Sequence, residues 1–225
     1  MSVILAIASL VLILSVSWLR TRIKNGRVPS QLQPVTMRPP ILPGGVFLGA
    51  NHAWLHLRTD GTLRIGIDDL LAGAVGRIDS VDLPLTGQEV QRGDPLFMLL
   101  AGGRHLTVRA PASGMVTTTN LQLQEAPWLA EKDPYGQGWV AVLRCCDPRA
   151  EILPLRLGSE GQIFLIAELA RLADLLRGAA HGTGGDPNQT ENELPEEGAL
   201  RQLDNEAWGT FQQCFLDAAD GFSDK

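Results

Sequence analysis

Side chains that could act as nucleophiles or general bases are few in this sequence, and their spacing matches no catalytic motif. The candidate nucleophiles and bases are Ser113, Cys145, Cys146, Cys214, His52, His56, His105 and His181. None lies in a Gly-x-Ser-x-Gly elbow, a His-Glu-x-x-His helix, a phosphate-binding glycine loop or a Cys-x-x-Cys pair. We therefore predict that the protein is not an enzyme.

Metal binding fits these side chains equally poorly. His52 and His56 would share one face only on a helix, and the stretch HAWLHLRTDGTLRIGI that contains them alternates as a strand does. Cys145 and Cys146 are neighbours, which on a strand point to opposite faces and pair poorly. We expect no metal and no cofactor, and three free thiols in a reducing compartment. Oxidant sensing or soft-metal binding by the two adjacent cysteines is the alternative to buried or half-buried thiols.

The amino terminus carries an apolar run that could cross a membrane. Residues 2–19 are uncharged, and a helix of that length spans roughly 27 Å of the ~30 Å of bilayer hydrocarbon. A signal peptide would place basic residues before the run, whereas here they follow it, at Arg20, Arg22, Lys24 and Arg27. The positive-inside rule then places everything after the run in the cytoplasm. We predict a retained single-pass anchor in the inner (cytoplasmic) membrane, with a cleaved signal peptide and a buried core helix as alternatives.

Composition and the positions of turn residues divide the rest of the chain into segments. Residues 20–45 form a basic, proline-rich linker. From about residue 46 to 143, short apolar alternations between Asp-Gly, Thr-Gly and Gly-Gly turns predict a compact β unit. We expect one short helix at about 67–75 and a second over 159–177, stopped by Gly178, with Ile163, Ile166 and Leu169 among the apolar residues of its one face. The net charge of −6, without a basic patch in this part, argues against nucleic acid.

The carboxyl-terminal third contains a polar linker and an acidic amphipathic tail. Residues 179–198 have almost no large apolar side chain and are predicted to be disordered. Residues 199–225 carry Trp208, Phe211 and Phe215 at near-helical spacing. The tail either folds back as a helix on the β domain or docks on a groove of a partner.

Several motifs in the β unit together resemble a known family. They are HAWLHLRTDGTLRIGI from His52, GRIDSVDLPLTGQEVQRGD from Gly76, RAPASGMVTTTN from Arg109 and DPYGQGW from Asp133. In order and spacing they resemble the H protein of the glycine cleavage system, over roughly residues 46–143. The resemblance implies a mainly β, lipoyl-domain-like barrel-sandwich hybrid whose hairpin presents a lysine for lipoylation. We place this domain, with its following helix, at residues 46–178, between the transmembrane helix and the carboxyl-terminal helices.

The carrier position departs from that pattern. Alignment on Ala110-Pro111 without a gap places the family's modified lysine at Gly103, its glutamate at Leu100 and its serine at Ala101. Glycine has no amine to acylate, and the guanidinium of the adjacent Arg104 is too weak a nucleophile to replace one. We therefore expect a non-lipoylated hairpin.

The sequence thus predicts a membrane-tethered scaffold or accessory subunit on a lipoate-free H-protein-like domain, which recruits or positions a protein partner. The residues that we expect to contact the partner are Gly102, Gly103, Arg104, His105, Trp208, Phe211 and Phe215. Arg104 and His105 could instead be solvated tip residues. A second hypothesis is an unmodified carrier mimic that docks on and regulates a lipoate-using or related enzyme. A third is an inverted adaptor with its barrel-sandwich domain outside the cytoplasm, which the charge order and DPYGQGW argue against.

Overall fold

The computed structural model of the chain describes residues 36–182 and 194–217, with side chains to residue 179 in the first range. The apolar run at 2–19 and most of both predicted linkers lie outside these residues, as does the side chain of His181. No helix within the described ranges combines the length and the apolar composition needed to cross a membrane.

Within residues 36–182 and 194–217, ten antiparallel strands form two sheets, which confirms the mainly β prediction. In chain order they are β1 (Val46–Leu48), β2 (Ala53–Leu57), β3 (Leu63–Ile67), β4 (Ser80–Asp82), β5 (Glu89–Val90), β6 (Pro95–Ala101), β7 (Arg104–Arg109), β8 (Gly114–Thr119), β9 (Ala141–Arg144) and β10 (Arg156–Leu157). The larger sheet has the order β10-β1-β2-β3-β9-β8-β5, and the smaller has β4-β6-β7. The smaller sheet therefore contains the hairpin on which the candidate site is built.

Alternating apolar residues from both sheets fill one core. Leu55 and Ile65 lie directly opposite each other on β2 and β3, and both are fully buried. Leu99 and Leu106 form the corresponding fully buried pair on β6 and β7. Because side chains on a strand alternate between faces, these pairs direct the neighbouring polar residues outward.

The described helices are short except for one. They are α1 (Asp69–Val75), α2 (Gln122–Glu125), α3 (Leu129–Lys132), α4 (Pro148–Ile152), α5 (Ser159–Gly182), a 3-10 turn (Ala199–Gln202), α6 (Asn205–Phe211) and a π turn (Gln212–Leu216). The first predicted helix is confirmed in α1. The Asp68 side chain caps it by accepting a hydrogen bond from the Leu71 amide at 2.8 Å, and Gly76 ends it with φ of +64°.

The prediction for α5 is wrong at its end and correct for only part of its face. The helix continues through Gly178 to Gly182, because an internal glycine costs only about 1 kcal/mol relative to alanine. Leu169 and Leu172 of the predicted face are buried, as is Leu165, whereas Ile163 and Ile166 are 68% and 54% exposed. Which residues are buried depends on which side of the helix packs against the sheet. Two sides of this helix are apolar, so the sequence alone does not show which one is buried.

Residues 194–217, hereafter the C-terminal segment, fold back on the β domain, the first of the two alternatives for the tail. Leu200, Phe211 and Leu216 are fully buried, and Phe215 is 1% exposed. The 3-10 turn, α6 and the π turn thus supply apolar side chains to the same core as the sheets.

The start of the C-terminal segment lies against the first described residues of the chain. Thr36 forms an antiparallel bridge with Glu196, and the Met37 amide donates to the Pro195 carbonyl at 2.7 Å. Met37 is also buried, with 3% of its surface exposed. Residues 36–45, hereafter the amino-terminal strap, are therefore hydrogen-bonded to the C-terminal segment at one point.

A close contact between two glycines joins the C-terminal segment to α1. The Gly198 amide donates to the Gly73 carbonyl at 2.8 Å. A Cβ added to Gly76 would lie 2.6 Å from the Gly198 Cα. Only a residue without a side chain permits this backbone approach.

Candidate functional site

The β6–β7 hairpin is the element that the resemblance singles out. Ala101 and Arg104 are its last paired residues, and Gly102 and Gly103 form the turn. Their φ angles are +58° and +79°, and two positive values are characteristic of the type I′ turn that suits the strand twist. A Cβ at Gly103 would meet no atom within 4 Å. The tip is therefore open at Gly103, whereas a Cβ at Gly102 would lie 3.4 Å from Arg201 Nε.

Both sides of the turn are held by polar contacts. Asp79, which precedes β4, accepts a hydrogen bond from the Gly102 amide at 2.7 Å. The same carboxylate lies 3.5 Å from the Arg201 guanidinium of the C-terminal segment and 3.6 Å from Arg77. Asp79 therefore ties the tip of the hairpin to the C-terminal segment.

Arg104 is directed back against the C-terminal segment. Its guanidinium donates to the Leu203 carbonyl and lies 5.2 Å from the centre of the Trp208 ring. The indole nitrogen of Trp208 donates in turn to the His105 carbonyl at 3.2 Å. The His105 side chain is exposed. Of the two tip side chains, Arg104 is thus engaged within the chain and His105 faces solvent.

The outer edge of β7 is covered by one glutamine. The Gln212 side chain accepts from the Thr107 amide and donates to the Thr107 carbonyl, both at 3.0 Å. At the end of the strand, Arg109 Nε lies 2.6 Å from Asp217 Oδ1. These contacts satisfy backbone groups that an edge strand leaves unpaired.

A buried ionic cluster lies beneath the C-terminal segment. His52, a fully buried residue with φ of +59°, has Nδ1 2.7 Å from Asp68 Oδ2 and Nε2 3.6 Å from Glu168 Oε2. Its ring centre is 5.9 Å from those of Phe164 and Phe215. The β domain, α1, α5 and the C-terminal segment therefore meet at this histidine.

The charges of His52 and Glu168 favour each other's ionised forms. Burial by itself lowers the pKa of His52, but the charge and hydrogen bond of Asp68, with smaller effects of Glu168, raise it to about 9. Burial would raise the pKa of Glu168, yet the interaction with His52 and then Arg171 lowers it. The cluster is thus a buried cation between carboxylates.

A half-buried polar pair, Asp69 and Tyr135, lies at the DPYGQGW loop. Tyr135 donates to Asp69 Oδ1 at 3.0 Å, and the Ile41 amide donates to Asp69 Oδ2 at 2.7 Å. Burial raises the pKa of Asp69 to about 6, against the Ile41 hydrogen bond. Burial and then the charges of Asp68 and Asp69 raise the pKa of Tyr135. The Tyr135 ring centre also lies 5.9 Å from that of Trp54, so the loop packs against β2.

The candidate nucleophiles do not converge with bases. Cys145 and Cys146 follow the end of β9 and are half-buried and exposed, respectively, while Cys214 is half-buried in the π turn. Burial raises the pKa of the Cys145 thiol, which disfavours the reactive thiolate. Ser113 accepts a hydrogen bond from the Arg92 amide at 3.2 Å, as a turn hydroxyl does. Across the ranges that the structure describes, no group of three His, Cys, Asp or Glu side chains is arranged to hold a metal ion.

The structure brings the predicted partner-contact residues together, but not on one exposed face. Gly102, Gly103 and His105 are exposed at the hairpin tip. Trp208 is 9% exposed, and Phe211 and Phe215 are buried in the chain's own core. These aromatic side chains therefore line the inner face of the C-terminal segment.

Sequence reasoning missed the residues that join the segment to the hairpin. Asp79, Thr107 and Gln212 act through single side-chain to backbone contacts between residues up to 105 positions apart. A polar residue in a turn, on a strand or on a short helix carries no signal for such a partner. The glycine pair Gly76 and Gly198 offered only the ordinary signal of turn glycines.

A hairpin projecting from a small antiparallel β domain of two sheets defines a domain of the lipoyl-carrier type. The family model for the glycine cleavage H-protein matches residues 47–160. This chain belongs to that family.

Curated relatives are consistent with the family, and one solved structure shows a partial likeness. The glycine cleavage system H protein of Coprothermobacter proteolyticus is 34% identical over 103 residues, which cover 46% of this chain and 81% of that protein. The protein of the same name from Alteromonas mediterranea is 33% identical over 120 residues, 53% of this chain and 92% of its own. The crystal structure of a glycine cleavage system H protein from Mycobacterium marinum has 28% identity and a TM-score of 0.49, covering 54% of this chain and 98% of that one.

Proposed function

We propose that this chain is a lipoate-free H-protein-family domain, a non-catalytic scaffold or accessory subunit that recruits or positions a protein partner. The observation that carries the proposal is the tip of the β6–β7 hairpin. The two glycines of its turn provide no acceptor for an acyl group, and the adjacent guanidinium of Arg104 is held by Leu203 and Trp208. Without a lipoyl group, the hairpin offers a partner protein only its shape and its backbone for recognition.

The lysines of the chain support this proposal. They are Lys24, Lys132 and Lys225. Lys132 lies in α3, with its amine 2.5 Å from Glu131 and 4.0 Å from Glu197. A lipoyl-transfer enzyme that recognises the hairpin would find no amine on it.

Expression with active lipoyl-transfer enzymes, followed by intact-mass measurement, tests the absence of lipoate. We expect the wild-type chain to stay unmodified and Gly103→Lys to gain the mass of one lipoyl group, because a side chain at Gly103 enters open space. Gly87→Lys is the matched control, since Gly87 also has positive φ and open surroundings but lies outside the hairpin. A lipoyl group on the wild-type chain would contradict the proposed function.

We further propose that residues 2–19 anchor the chain in the inner membrane with the β domain in the cytoplasm. The support is the uncharged run followed by four basic residues. Paired Leu10→Arg and Leu14→Arg substitutions should move the chain from the membrane pellet to the supernatant, whereas Leu10→Phe and Leu14→Phe should not. A cysteine-reactive probe that cannot cross membranes should fail to label the exposed Cys146 in intact cells. Labelling without lysis would favour the inverted adaptor.

A carrier mimic is the second candidate function. It is favoured by the intact pairing of β6 with β7 and by the type I′ turn, which preserve the hairpin without its lysine. Binding of the purified chain to a lipoate-using enzyme, in competition with that enzyme's own lipoylated carrier, separates the mimic from the scaffold. If the chain is a carrier mimic, it competes with the lipoylated carrier and lowers the enzyme's turnover. If it is a scaffold, the turnover is unchanged.

A further inference from the structure

The outer edge of β7 is occupied by side chains instead of by another strand. On its inner side β7 pairs with β6, and it ends the smaller sheet. The carboxamide of Gln212 both accepts from the Thr107 amide and donates to the Thr107 carbonyl. A residue of an adjacent antiparallel strand exchanges the same two hydrogen bonds. Gln212 therefore imitates a strand at the middle of this edge.

Two arginines mark the ends of the edge. Arg104 donates to the Leu203 carbonyl, and Arg109 pairs with the Asp217 carboxylate. Between them the Trp208 indole donates to the His105 carbonyl. The edge is thus complementary to a chain that offers peptide groups in its middle and an oxygen acceptor near each end.

The C-terminal segment is held in place by these contacts and by the burial of Leu200, Phe211, Phe215 and Leu216, and less by its own helical tendency. Its helix α6 has only seven residues, with Gly209 inside it, and passes directly into a π turn. A helix this short is marginal by itself. Ordering the segment also costs conformational entropy that opposes the gain from burial. Release of the segment exposes these side chains, so it opens separately only if this cost is below the free energy of global unfolding.

We propose that the edge of β7 is a docking edge for an extended polypeptide segment with an acidic residue near each end, and that the C-terminal segment occupies this edge in competition with the partner. The partner adds a strand to the sheet β4-β6-β7, and its carboxylates replace Leu203 and Asp217 beside the two arginines. This inference rests on the proposed function as a partner-binding domain and assigns the contact to the side of the hairpin.

Two substitutions shift the competition in opposite directions. Gly209→Ala adds a methyl group where no atom lies within 4 Å, and its helix propensity favours the docked segment by up to about fivefold. Gln212→Ala leaves both Thr107 backbone groups unsatisfied and favours release by about tenfold. The reporter of release is hydrogen exchange of the Gly198 amide, which is bonded to Gly73 and contacts neither substituted residue.

Exchange at Gly198 should slow in Gly209→Ala and accelerate in Gln212→Ala, while the Leu55 amide in the core is unchanged in both. If Gly198 exchanges only together with Leu55 in every variant, the segment does not open separately and the proposal is overturned. Hydrogen exchange at Gly198 does not depend on lipoylation. A lipoylated wild-type chain would therefore contradict the proposed function without changing the exchange result.

Docking is then measured with a blocked synthetic hexapeptide, Asp-Val-Thr-Val-Thr-Asp. The affinity of each chain for this peptide should follow the fraction of molecules in which the C-terminal segment is released. We expect it to be about fivefold or more tighter for Gln212→Ala than for wild type, and weaker for Gly209→Ala. The control peptide has lysine in place of both aspartates, and should bind at least about tenfold more weakly beside Arg104 and Arg109. Equal affinities across the three chains, or for the two peptides, would overturn the assignment of this edge.

Discussion

Replacing His52 with asparagine removes the buried cation that lies between Asp68 and Glu168. Asparagine tolerates the positive φ of this position better than most residues, so the substitution changes charge and packing with little added backbone strain. The imidazole is fully buried, with Nδ1 2.7 Å from Asp68. Its loss leaves two carboxylates without their shared counter-ion.

The size and sign of the effect follow from the pKa of His52. The folded value is raised from 6.5 to about 9, which corresponds to about 3 kcal/mol of unfolding free energy at about 1.4 kcal/mol for each tenfold change in proton affinity. Because the folded pKa is above the unfolded value, this contribution is complete below about pH 6.5 and disappears as the pH rises through 9. The variant lacks it at every pH.

Urea unfolding of the wild-type chain and of His52→Asn at pH 6, 8 and 10, followed by tryptophan fluorescence, measures this contribution. We expect the difference in unfolding free energy between the two chains to shrink by about 3 kcal/mol between pH 6 and pH 10. Glu168→Gln should retain part of the pH dependence, because Asp68 still contacts the ring. If the difference between wild type and His52→Asn is the same at all three pH values, the protonated His52 does not stabilise the fold.

Three further predictions concern other contacts. Asp69→Asn should gain unfolding free energy relative to wild type, on the order of 1 kcal/mol, as the pH rises from 4 to 8 in urea titrations, because the folded pKa of Asp69 is raised to about 6 and the ionised form is disfavoured; a constant difference would contradict this. Gly66→Ala should lower the thermal midpoint and cost about 1–3 kcal/mol, since its Cβ would lie 2.6 Å from the Trp54 ring; unchanged calorimetry would show that the ring moves freely. Gly76→Ala should accelerate proteolysis of the C-terminal segment, because its Cβ would lie 2.6 Å from the Gly198 Cα.

The last of these has a matched control. Gly61 has φ of +78° and no atom within 4 Å of an added Cβ. Gly61→Ala therefore introduces comparable backbone strain without a clash. Proteolysis of the C-terminal segment that is equally fast in both variants would show that strain, and not contact with Gly198, is responsible.

The β domain was predictable from the sequence because its signals are local. Alternation in HAWLHLRTDGTLRIGI and the Asp-Gly turn define β2 and β3, and Asp68 before an apolar run predicts the start of α1. The absence of a lysine from the hairpin is likewise visible in the letters alone. These features require no knowledge of distant neighbours.

The arrangement around the site was not predictable for the opposite reason. Trp208 and Phe215 give the same helical spacing whether the segment covers its own domain or a partner. The position of Gln212 against Thr107 depends on a π turn that no residue type specifies. His52 gave only an argument against a metal pair, since Glu168 reaches it from a helix 116 positions later in the chain.

The bridge between Thr36 and Glu196 has a mechanical consequence. A force pulling on the chain before residue 36 acts on this bridge and on the hydrogen bond from Met37 to Pro195 before it reaches the strands of the two sheets. The load passes through the C-terminal segment to Asp79 and Arg104 at the hairpin tip. The C-terminal segment thus connects Thr36 and Met37 to the hairpin tip, so we expect a pull on the amino-terminal strap to strain the hairpin contacts before it separates the strands.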